Sequence, residues 1–402
     1  VIRRLCLALA MAASLDGAMA FHAAGPRCLL NPAMAGSRTR AVSPALRAGL
    51  QMKAQSHMVH SSLAFQQRKQ QPLTVINTGT LITGDNERPK VNTLLLGFYF
   101  AMWYVLNVGY NIFVKKTLNV MPLPVLFGVV QLGVGVLWLL PQFLLGIRNV
   151  PQPSPNNIRA LWKIGAFHGA GQLATVAAMG LGSVSFVNVV KALEPIFTAA
   201  IGVAVTGVVL PWQVWLSMLP VCAGVGLASF SELSFSWACF SCAMLSNIVY
   251  ASRGVLSKIS MEGGDKGRFM DSANTYAVVT TLAFIVTLPF GLLWEGAKIP
   301  AAMASVAAAG WSPFKLFYMV LASGVFYYTY NEMAFLVLGS VAPVSQSIGN
   351  TVKRVIVIVV ASLVFRTPMT PLGIVGSSVA IGGVMLYSMV KGMFPDGPKK
   401  SE

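Results

Sequence analysis

Four cationic side chains lie within otherwise apolar stretches of the sequence. Lys191 is in the segment 188–195, Arg253 is near the end of another apolar run, and Lys353 and Arg354 are adjacent in a third. A cation at the centre of a bilayer costs roughly 3 kcal/mol on insertion scales, so a group of them requires a compensating function. A phosphate dianion can accept paired hydrogen bonds from Arg and meets Lys as a point charge. The pattern therefore predicts an anion-binding site.

The alternative interpretation of these cations is structural. Glu194 lies close behind Lys191 in the sequence and can neutralise it, and Arg253 is near enough to a helix end to extend its charge to the membrane surface. No acidic residue occurs between Glu332 and the tail, so the adjacent pair at 353–354 must find any carboxylate partner across the helix bundle. Unless Glu194 or Glu332 reaches that pair, the site keeps a net positive charge.

The composition places these residues in membrane-spanning helices. Of 402 residues, 55% are hydrophobic and only 10% are charged, whereas soluble domains carry about 25% charged residues. From Val91 onward, apolar runs of about twenty residues follow one another, each long enough to cross a bilayer as a helix. We predict an all-α membrane protein with ten transmembrane helices, near 92–114, 122–146, 159–180, 184–206, 211–230, 235–257, 273–294, 314–337, 342–364 and 371–390.

The chain also matches itself at a constant offset of 157 residues. The matched positions include residue types that apolar composition alone does not explain: Ser183 with Ser340, Pro211 with Pro368, Gly226 with Gly383 and Ser231 with Ser388. Five helices per half would insert the second copy upside down, which is typical of alternating-access transporters with a site near the midplane. We predict inverted repeats over 91–231 and 232–392, followed by a polar tail over 393–402. The Lys and Arg distribution predicts both termini on the stroma-like side.

The first ninety residues have the composition of a targeting sequence. Residues 1–20 carry Arg3 and Arg4, an apolar stretch and small residues ending at Ala20, which predicts a secretory signal peptide. Residues 21–84 contain seven Lys or Arg and no Asp or Glu, which predicts a transit peptide and disordered leader over 21–90. This order, with Phe21 after the cleavage point, resembles the bipartite presequences of algae with secondary plastids. A disordered N-terminus behind a signal anchor is the alternative.

Several other functional classes fit the sequence poorly. The net charge is +17, but residues 1–90 hold eleven Lys or Arg against three Asp or Glu, a net of +8, so the charge does not indicate nucleic-acid binding. His168 is the only histidine in the predicted helical region and has no carboxylate cluster facing it, so we expect a packed or pore-edge residue rather than an enzyme. Cys239 and Cys242 lack a second pair, which favours core packing over a metal or redox site.

The motifs around the cations resemble those of the plastid phosphate translocator family, most nearly its triose-phosphate members. The resemblance covers about residues 92–392 and is strongest in K-A-L-E-P at 191–195, in 252–258, in 328–332 and in 347–358, which holds the Lys-Arg pair. It implies a member of the drug/metabolite transporter superfamily that works without cofactor or metal. The implied activity is exchange of triose phosphate or 3-phosphoglycerate for inorganic phosphate across a plastid envelope membrane. The sequence does not indicate an oligomeric state.

The resemblance also implies the roles of individual residues. The phosphate ligands would be Lys191, Lys353 and Arg354, with the hydroxyl of Tyr330 on the same group. Arg253 and Thr175 would contact the rest of the substrate, especially the carboxylate of 3-phosphoglycerate.

One position departs from the family pattern. Triose-phosphate members carry a histidine nineteen residues before the lysine, where this chain has Gln172, which can donate to an oxyanion but cannot become charged near neutral pH. The segments 253–258 and 365–368 resemble the phosphoenolpyruvate branch, whereas 270–274 and Tyr330 resemble the triose-phosphate branch. A phosphoenolpyruvate/phosphate antiporter is therefore one alternative. A nucleotide-sugar carrier of the same fold is another, although it does not fit the acid-free segment.

Overall fold

A computed structural model describes residues 93–394 except 234, 263–265, 342 and 368, and it also leaves the side chains of 261, 262, 338, 339 and 343–347 undescribed. The predicted signal peptide over 1–20 and the transit peptide and leader over 21–90 lie outside the described residues. Residues 395–402 of the predicted polar tail do so as well. These predictions of a leader and a tail are not tested by the structure.

The described chain is almost entirely helical. Its helices are α1 (Thr93–Leu118), α2 (Pro124–Leu144), α3 (Pro155–Leu181), α4 (Val184–Val190), α5 (Glu194–Thr206), α6 (Trp212–Leu216), α7 (Leu219–Ser231), α8 (Trp237–Glu262), α9 (Ser272–Glu295), α10 (Ile299–Ala308), α11 (Pro313–Ser340), α12 (Pro343–Phe365) and α13 (Pro371–Met393). Short 3₁₀ turns occur at Lys191–Leu193 and Gly296–Lys298. Two antiparallel two-residue strands, β1 (Gln152–Pro153) and β2 (Gly267–Arg268), join the segments before α3 and α9.

The prediction of an all-α membrane protein is confirmed. Eight segments of the described chain are long and apolar enough to cross a bilayer: Thr93–Leu118, Pro124–Leu144, Val184–Thr206, Trp212–Ser231, Trp237–Ser260, Ser272–Ala308, Ile348–Phe365 and Pro371–Met393. Helices α3 and α11, with 27 and 28 residues, are long enough but are not among these eight. Helix α3 is less apolar because it buries His168, Gln172 and Thr175 in the bundle. The count of ten spans and the inverted arrangement stay predictions.

Side-chain caps and prolines define where several helices begin. Ser154, Ser312 and Thr370 each accept a hydrogen bond from a backbone N–H of the first helical turn, and each precedes a proline that begins the helix. Proline suits this position because its missing N–H would have no partner there. These starts agree to within a few residues with the predicted ones. Helix α10 was not predicted, because its ten residues are too few to span a bilayer.

Small residues allow α7 and α13 to approach at backbone distance. A Cβ atom added at Gly376 would lie 2.6 Å from the backbone nitrogen of Ala228 and 2.8 Å from the carbonyl oxygen of Gly224. These neighbours are backbone atoms, so they cannot move aside as a flexible side chain would. In contrast, a Cβ atom at Gly382 on the same helix would meet nothing within 4 Å.

We expect Gly376→Ala to lower the midpoint of thermal unfolding by several degrees and to reduce the yield of monodisperse protein. The added methyl group forces the two helices apart, and overpacking of this kind costs roughly 1–3 kcal/mol. The measurement is thermal unfolding in detergent, with Gly382→Ala as the matched control that should retain the wild-type midpoint. Equal midpoints for both variants would contradict close packing at this position.

Candidate functional site

Lys191 lies at an interruption of the helix that runs through Val184–Thr206. Helix α4 ends before it, and α5 begins at Glu194 with a proline in its first turn, where the missing N–H breaks the ladder. The Lys191 ammonium donates to Thr175 Oγ1 at 3.0 Å and to Ser246 Oγ at 3.4 Å, and it lies 4.7 Å from the centre of the Tyr250 ring. These partners are neutral, so they hold the ammonium without cancelling its charge.

Arg354 on α12 forms an ion pair with Glu194 on α5. Its Nη2 lies 2.7 Å from Glu194 Oε2, and the whole residue is only 8% exposed. The sequence offered Glu194 as a possible partner of Lys191 or of the pair at 353–354, and the structure pairs it with Arg354. The other terminal nitrogen of Arg354, Nη1, is buried and has no hydrogen-bond partner among the described atoms. A buried donor without a partner is costly, and ligand-binding sites are one place where such donors occur.

Lys353, the neighbour of Arg354 on α12, contacts an aromatic ring instead of a carboxylate. Its ammonium lies 4.8 Å from the centre of the Trp103 ring on α1. Within the described part of the chain, neither Lys353 nor Lys191 has a carboxylate at ion-pair distance. Glu332 does not reach them, because it pairs with Arg148, which also donates to the Tyr328 hydroxyl at 3.3 Å.

A single carboxylate therefore faces several cations. Among the described residues, Glu194 is the acid that pairs with one of these cations, and it pairs with Arg354. Lys191, Lys353 and Arg253 have no carboxylate at ion-pair distance among the described residues. The alternative of balanced internal ion pairs is therefore met for Arg354 and not for the other three cations.

Arg253 on α8 is directed into the bundle rather than towards the membrane surface. Its Nη1 lies 2.9 Å from Nδ1 of His168, a residue with no exposed surface. The guanidinium carbon is 5.1 Å from the Tyr250 ring centre and 5.9 Å from that of Phe335. Its Nε is buried without a partner among the described atoms. The alternative in which Arg253 extends to the surface is therefore wrong.

Gln172 on α3 is 1% exposed and is engaged by other protein groups. Its amide nitrogen donates to the Tyr110 hydroxyl at 3.0 Å and to Gln131 Oε1 at 2.8 Å, which uses both of its hydrogens. Its oxygen accepts from the Tyr250 hydroxyl at 3.4 Å. As this structure stands, Gln172 has no free hydrogen for an oxyanion, although the sequence suggested that role.

Tyr330 on α11 is half-buried in an aromatic cluster with Tyr110 and Tyr327. Its ring centre lies 5.3 Å from that of Tyr110 and 5.7 Å from that of Tyr327. His168 belongs to the same aromatic cluster but was predicted only as a packed or pore-edge residue, although it lies one helical turn before Gln172 and so shares its face of α3. That spacing was the available signal.

Comparison with known proteins provides independent information. The model of the triose-phosphate transporter family matches residues 94–388. The chain is 38% identical over 320 residues to phosphoenolpyruvate/phosphate translocator 2, chloroplastic, of Arabidopsis thaliana, which covers 79% of this chain and 80% of that protein. It is 37% identical over 314 residues to a triose phosphate/phosphate translocator of Zea mays, covering 77% and 75%. It is 32% identical over 351 residues to glucose-6-phosphate/phosphate translocator 1 of Arabidopsis thaliana, covering 87% and 88%. The organic phosphates in these names differ, whereas inorganic phosphate is common to them.

Proposed function

The chain belongs to the triose-phosphate transporter family, and from that premise we propose that it exchanges a three-carbon phosphate for inorganic phosphate across a plastid envelope membrane. The family consists of transporters rather than enzymes, so no catalytic residue is assigned. The observation that carries the proposal is that Lys191 and Lys353 have no carboxylate at ion-pair distance among the described residues, although both lie in segments apolar enough to span a bilayer. A dianionic ligand supplies the negative charge that these cations lack, whereas a neutral ligand supplies none.

The phosphate group is held by Lys191, Lys353 and Arg354, with the Tyr330 hydroxyl as a further donor. Support comes from the two lysines, whose described partners are neutral, and from the open Nη1 of Arg354. Lysine meets the phosphate as a point charge, and arginine adds directed hydrogen bonds. Glu194 holds Arg354 in place while the site is empty and leaves Nη1 available to the ligand.

The rest of the substrate lies towards Arg253 and Thr175. The buried Nε of Arg253 supports this role, because it can donate to a carboxylate such as that of 3-phosphoglycerate. Gln172 lines this region and shapes it through Tyr110 and Tyr250. Of the three-carbon substrates, 3-phosphoglycerate has a second anionic end, its carboxylate, for this side of the site.

Transport follows alternating access between two inverted five-helix halves, 91–231 and 232–392. Lys191 belongs to the first half, and Lys353 and Arg354 belong to the second, so a phosphate group contacts both. Binding draws the halves together and compensates charge before the site passes through an occluded state. An empty site would carry its excess cations through the same low-dielectric state, which is penalised.

The location of the carrier is a plastid envelope membrane. The relatives above are named as chloroplastic proteins, and the basic, acid-free segment at 21–84 has transit-peptide composition. Assignment to a secondary plastid rests on the sequence of the leader alone, where a signal peptide precedes the transit peptide. The membrane lipid bilayer and small phosphorylated metabolites are the expected partners.

Phosphoenolpyruvate is the second candidate for the organic substrate. The phosphoenolpyruvate/phosphate translocator of Arabidopsis thaliana is 38% identical to this chain, and the segment 253–258 resembles that branch. Phosphoenolpyruvate also carries a carboxylate for Arg253. In both assignments the same cations bind the phosphate group.

A panel of counter-substrates in reconstituted liposomes tests these assignments. Liposomes are loaded with triose phosphate, 3-phosphoglycerate, phosphoenolpyruvate or glucose 6-phosphate, and uptake of labelled phosphate is measured from outside. We expect fast phosphate uptake into liposomes loaded with a three-carbon compound. Liposomes loaded with glucose 6-phosphate should take up phosphate no faster than protein-free liposomes. Equally fast uptake with glucose 6-phosphate inside would contradict a three-carbon carrier, and no exchange with any compound would contradict the transport function.

A further inference from the structure

His168 is buried at the centre of a group of aromatic residues. It comes from α3 and meets Tyr250 of α8, Tyr276 of α9 and Tyr327 of α11, with ring centres 6.3, 5.5 and 6.0 Å away. Its two ring nitrogens each have one polar partner. Nδ1 lies 2.9 Å from Arg253 Nη1, and Nε2 lies 3.2 Å from the Tyr327 hydroxyl oxygen.

The contact with Arg253 determines where the imidazole proton lies. A guanidinium group has only donors, so Nδ1 must accept the hydrogen bond from Nη1. The ring is therefore neutral, with its proton on Nε2, which donates to the Tyr327 oxygen. A doubly protonated imidazole would have no acceptor for Arg253 and would place a second cation against it.

His168 holds Arg253 without neutralising its positive charge, which distinguishes Arg253 from two other arginines of the bundle. Arg148 and Arg354 each pair with a carboxylate, which orients the guanidinium but also cancels its charge. His168 orients the Arg253 guanidinium and leaves its charge intact. The two aromatic rings near Arg253 are neutral as well, and Nε remains without a partner among the described atoms. Arg253 is thus fixed in direction, charged and provided with an open donor.

The same contacts continue to the phosphate-binding lysine. The centre of the Tyr250 ring lies 4.7 Å from the Lys191 ammonium and 5.1 Å from the Arg253 guanidinium carbon. The Lys191 ammonium in turn donates to Thr175 Oγ1 at 3.0 Å. The Tyr250 ring therefore packs against both the arginine held by His168 and the lysine proposed to bind phosphate.

We propose that His168 is a positioning residue that sets the preference of the carrier for substrates with a carboxylate beyond the phosphate group. It acts through Arg253 and does not itself contact the substrate. This inference rests on the proposed function, because it assigns the specificity of the same site. The substrate class it selects is a three-carbon phosphate acid, such as 3-phosphoglycerate, over a three-carbon phosphate ketone or aldehyde.

Two substitutions at this position separate hydrogen bonding from packing. His168→Phe keeps a planar ring but removes the acceptor, whereas His168→Asn places an amide oxygen close to the position of Nδ1. The reference for each variant is its own rate of phosphate/phosphate exchange. The measured quantity is the ratio of the exchange rate with 3-phosphoglycerate to that with dihydroxyacetone phosphate.

We expect this ratio to fall at least about tenfold in His168→Phe, which is the loss expected for a hydrogen bond to a charged group. In His168→Asn the ratio should recover to within about threefold of wild type, because the acceptor is restored. The single substitution Arg253→Gln should also lower the ratio. The double variant Arg253→Gln/His168→Phe should have the same ratio as Arg253→Gln alone, as expected for two residues that act through one contact.

The outcomes separate this inference from the function on which it rests. If wild-type protein shows no phosphate/phosphate exchange, the proposed function fails. If wild-type protein exchanges phosphate but the ratio is unchanged in His168→Phe, or if Asn and Phe lower it equally, the positioning role of His168 is overturned. Should the Phe variant not fold, an unchanged ratio in Arg253→Gln would overturn it as well.

Discussion

Alanine at Arg354 is expected to lower phosphate exchange in reconstituted liposomes by at least about a hundredfold, to the level of protein-free liposomes. The substitution removes the open Nη1 donor and also the ion-pair partner of Glu194. Removing one partner of an ion pair costs up to roughly 3–5 kcal/mol when the pair is buried, and Glu194 then lacks the cation that hydrogen-bonds it.

Related substitutions show which property of Arg354 matters. Lys353→Ala should cause a loss of similar size, whereas Arg354→Lys should retain part of the rate because it keeps the charge but not the paired donors. Lys391→Ala is the matched control, since Lys391 lies near the end of α13 with its ammonium 5.8 Å from the centre of the Tyr387 ring. Wild-type rates in both Lys353→Ala and Arg354→Ala would show that the site lies elsewhere.

Uptake of labelled phosphate into liposomes without internal phosphate is expected to stay near the protein-free background. In the empty site, Lys191 and Lys353 have no carboxylate at ion-pair distance among the described residues. Returning that empty site across the membrane takes bare cations through a low-dielectric occluded state, which is strongly unfavourable compared with returning it loaded. Transport is then a strict exchange and not a net flow.

The test compares two sets of liposomes that differ only in their contents. One set contains phosphate and the other contains chloride at the same ionic strength, and initial uptake is measured from the same external solution. Fast uptake in both sets would contradict charge-coupled exchange, even if the site residues were correctly assigned. Uptake in the phosphate-loaded set alone agrees with it.

The sequence predicted the positions of the long helices well, because caps, prolines and apolar runs are local features. It also singled out the cations proposed to bind the substrate, since a charge in an apolar run is conspicuous without any structure; their role stays a prediction. Which carboxylate reaches the pair at 353–354 was harder to predict, because the sequence left Glu194 and Glu332 both open. The packing of α5 and α12 brings Glu194 to Arg354, 160 positions away, whereas Glu332 pairs with Arg148.

The contacts of His168 and Gln172 with the surrounding tyrosines were the part of the site that the sequence predicted least well. His168 and Gln172 were both visible, but their contacts with Tyr327, Tyr110 and Gln131 join three further helices. A sequence gives the face of α3 on which such residues lie and not the residues opposite them. The hydropathy of α3 is reduced by these same buried polar groups, so that α3 is less apolar than the eight segments named above as long and apolar enough to cross a bilayer.

The most direct test of the central claim is whether phosphate stabilises the purified protein through the cations of the site. A ligand at about a hundred times its dissociation constant stabilises the state that binds it by roughly 2.7 kcal/mol, so thermal unfolding midpoints report binding without transport. We expect added phosphate to raise the midpoint of wild-type protein and of Lys391→Gln, and to leave the midpoints of Lys353→Gln and Arg354→Gln unchanged. Equal rises in all four proteins would contradict phosphate binding by these cations.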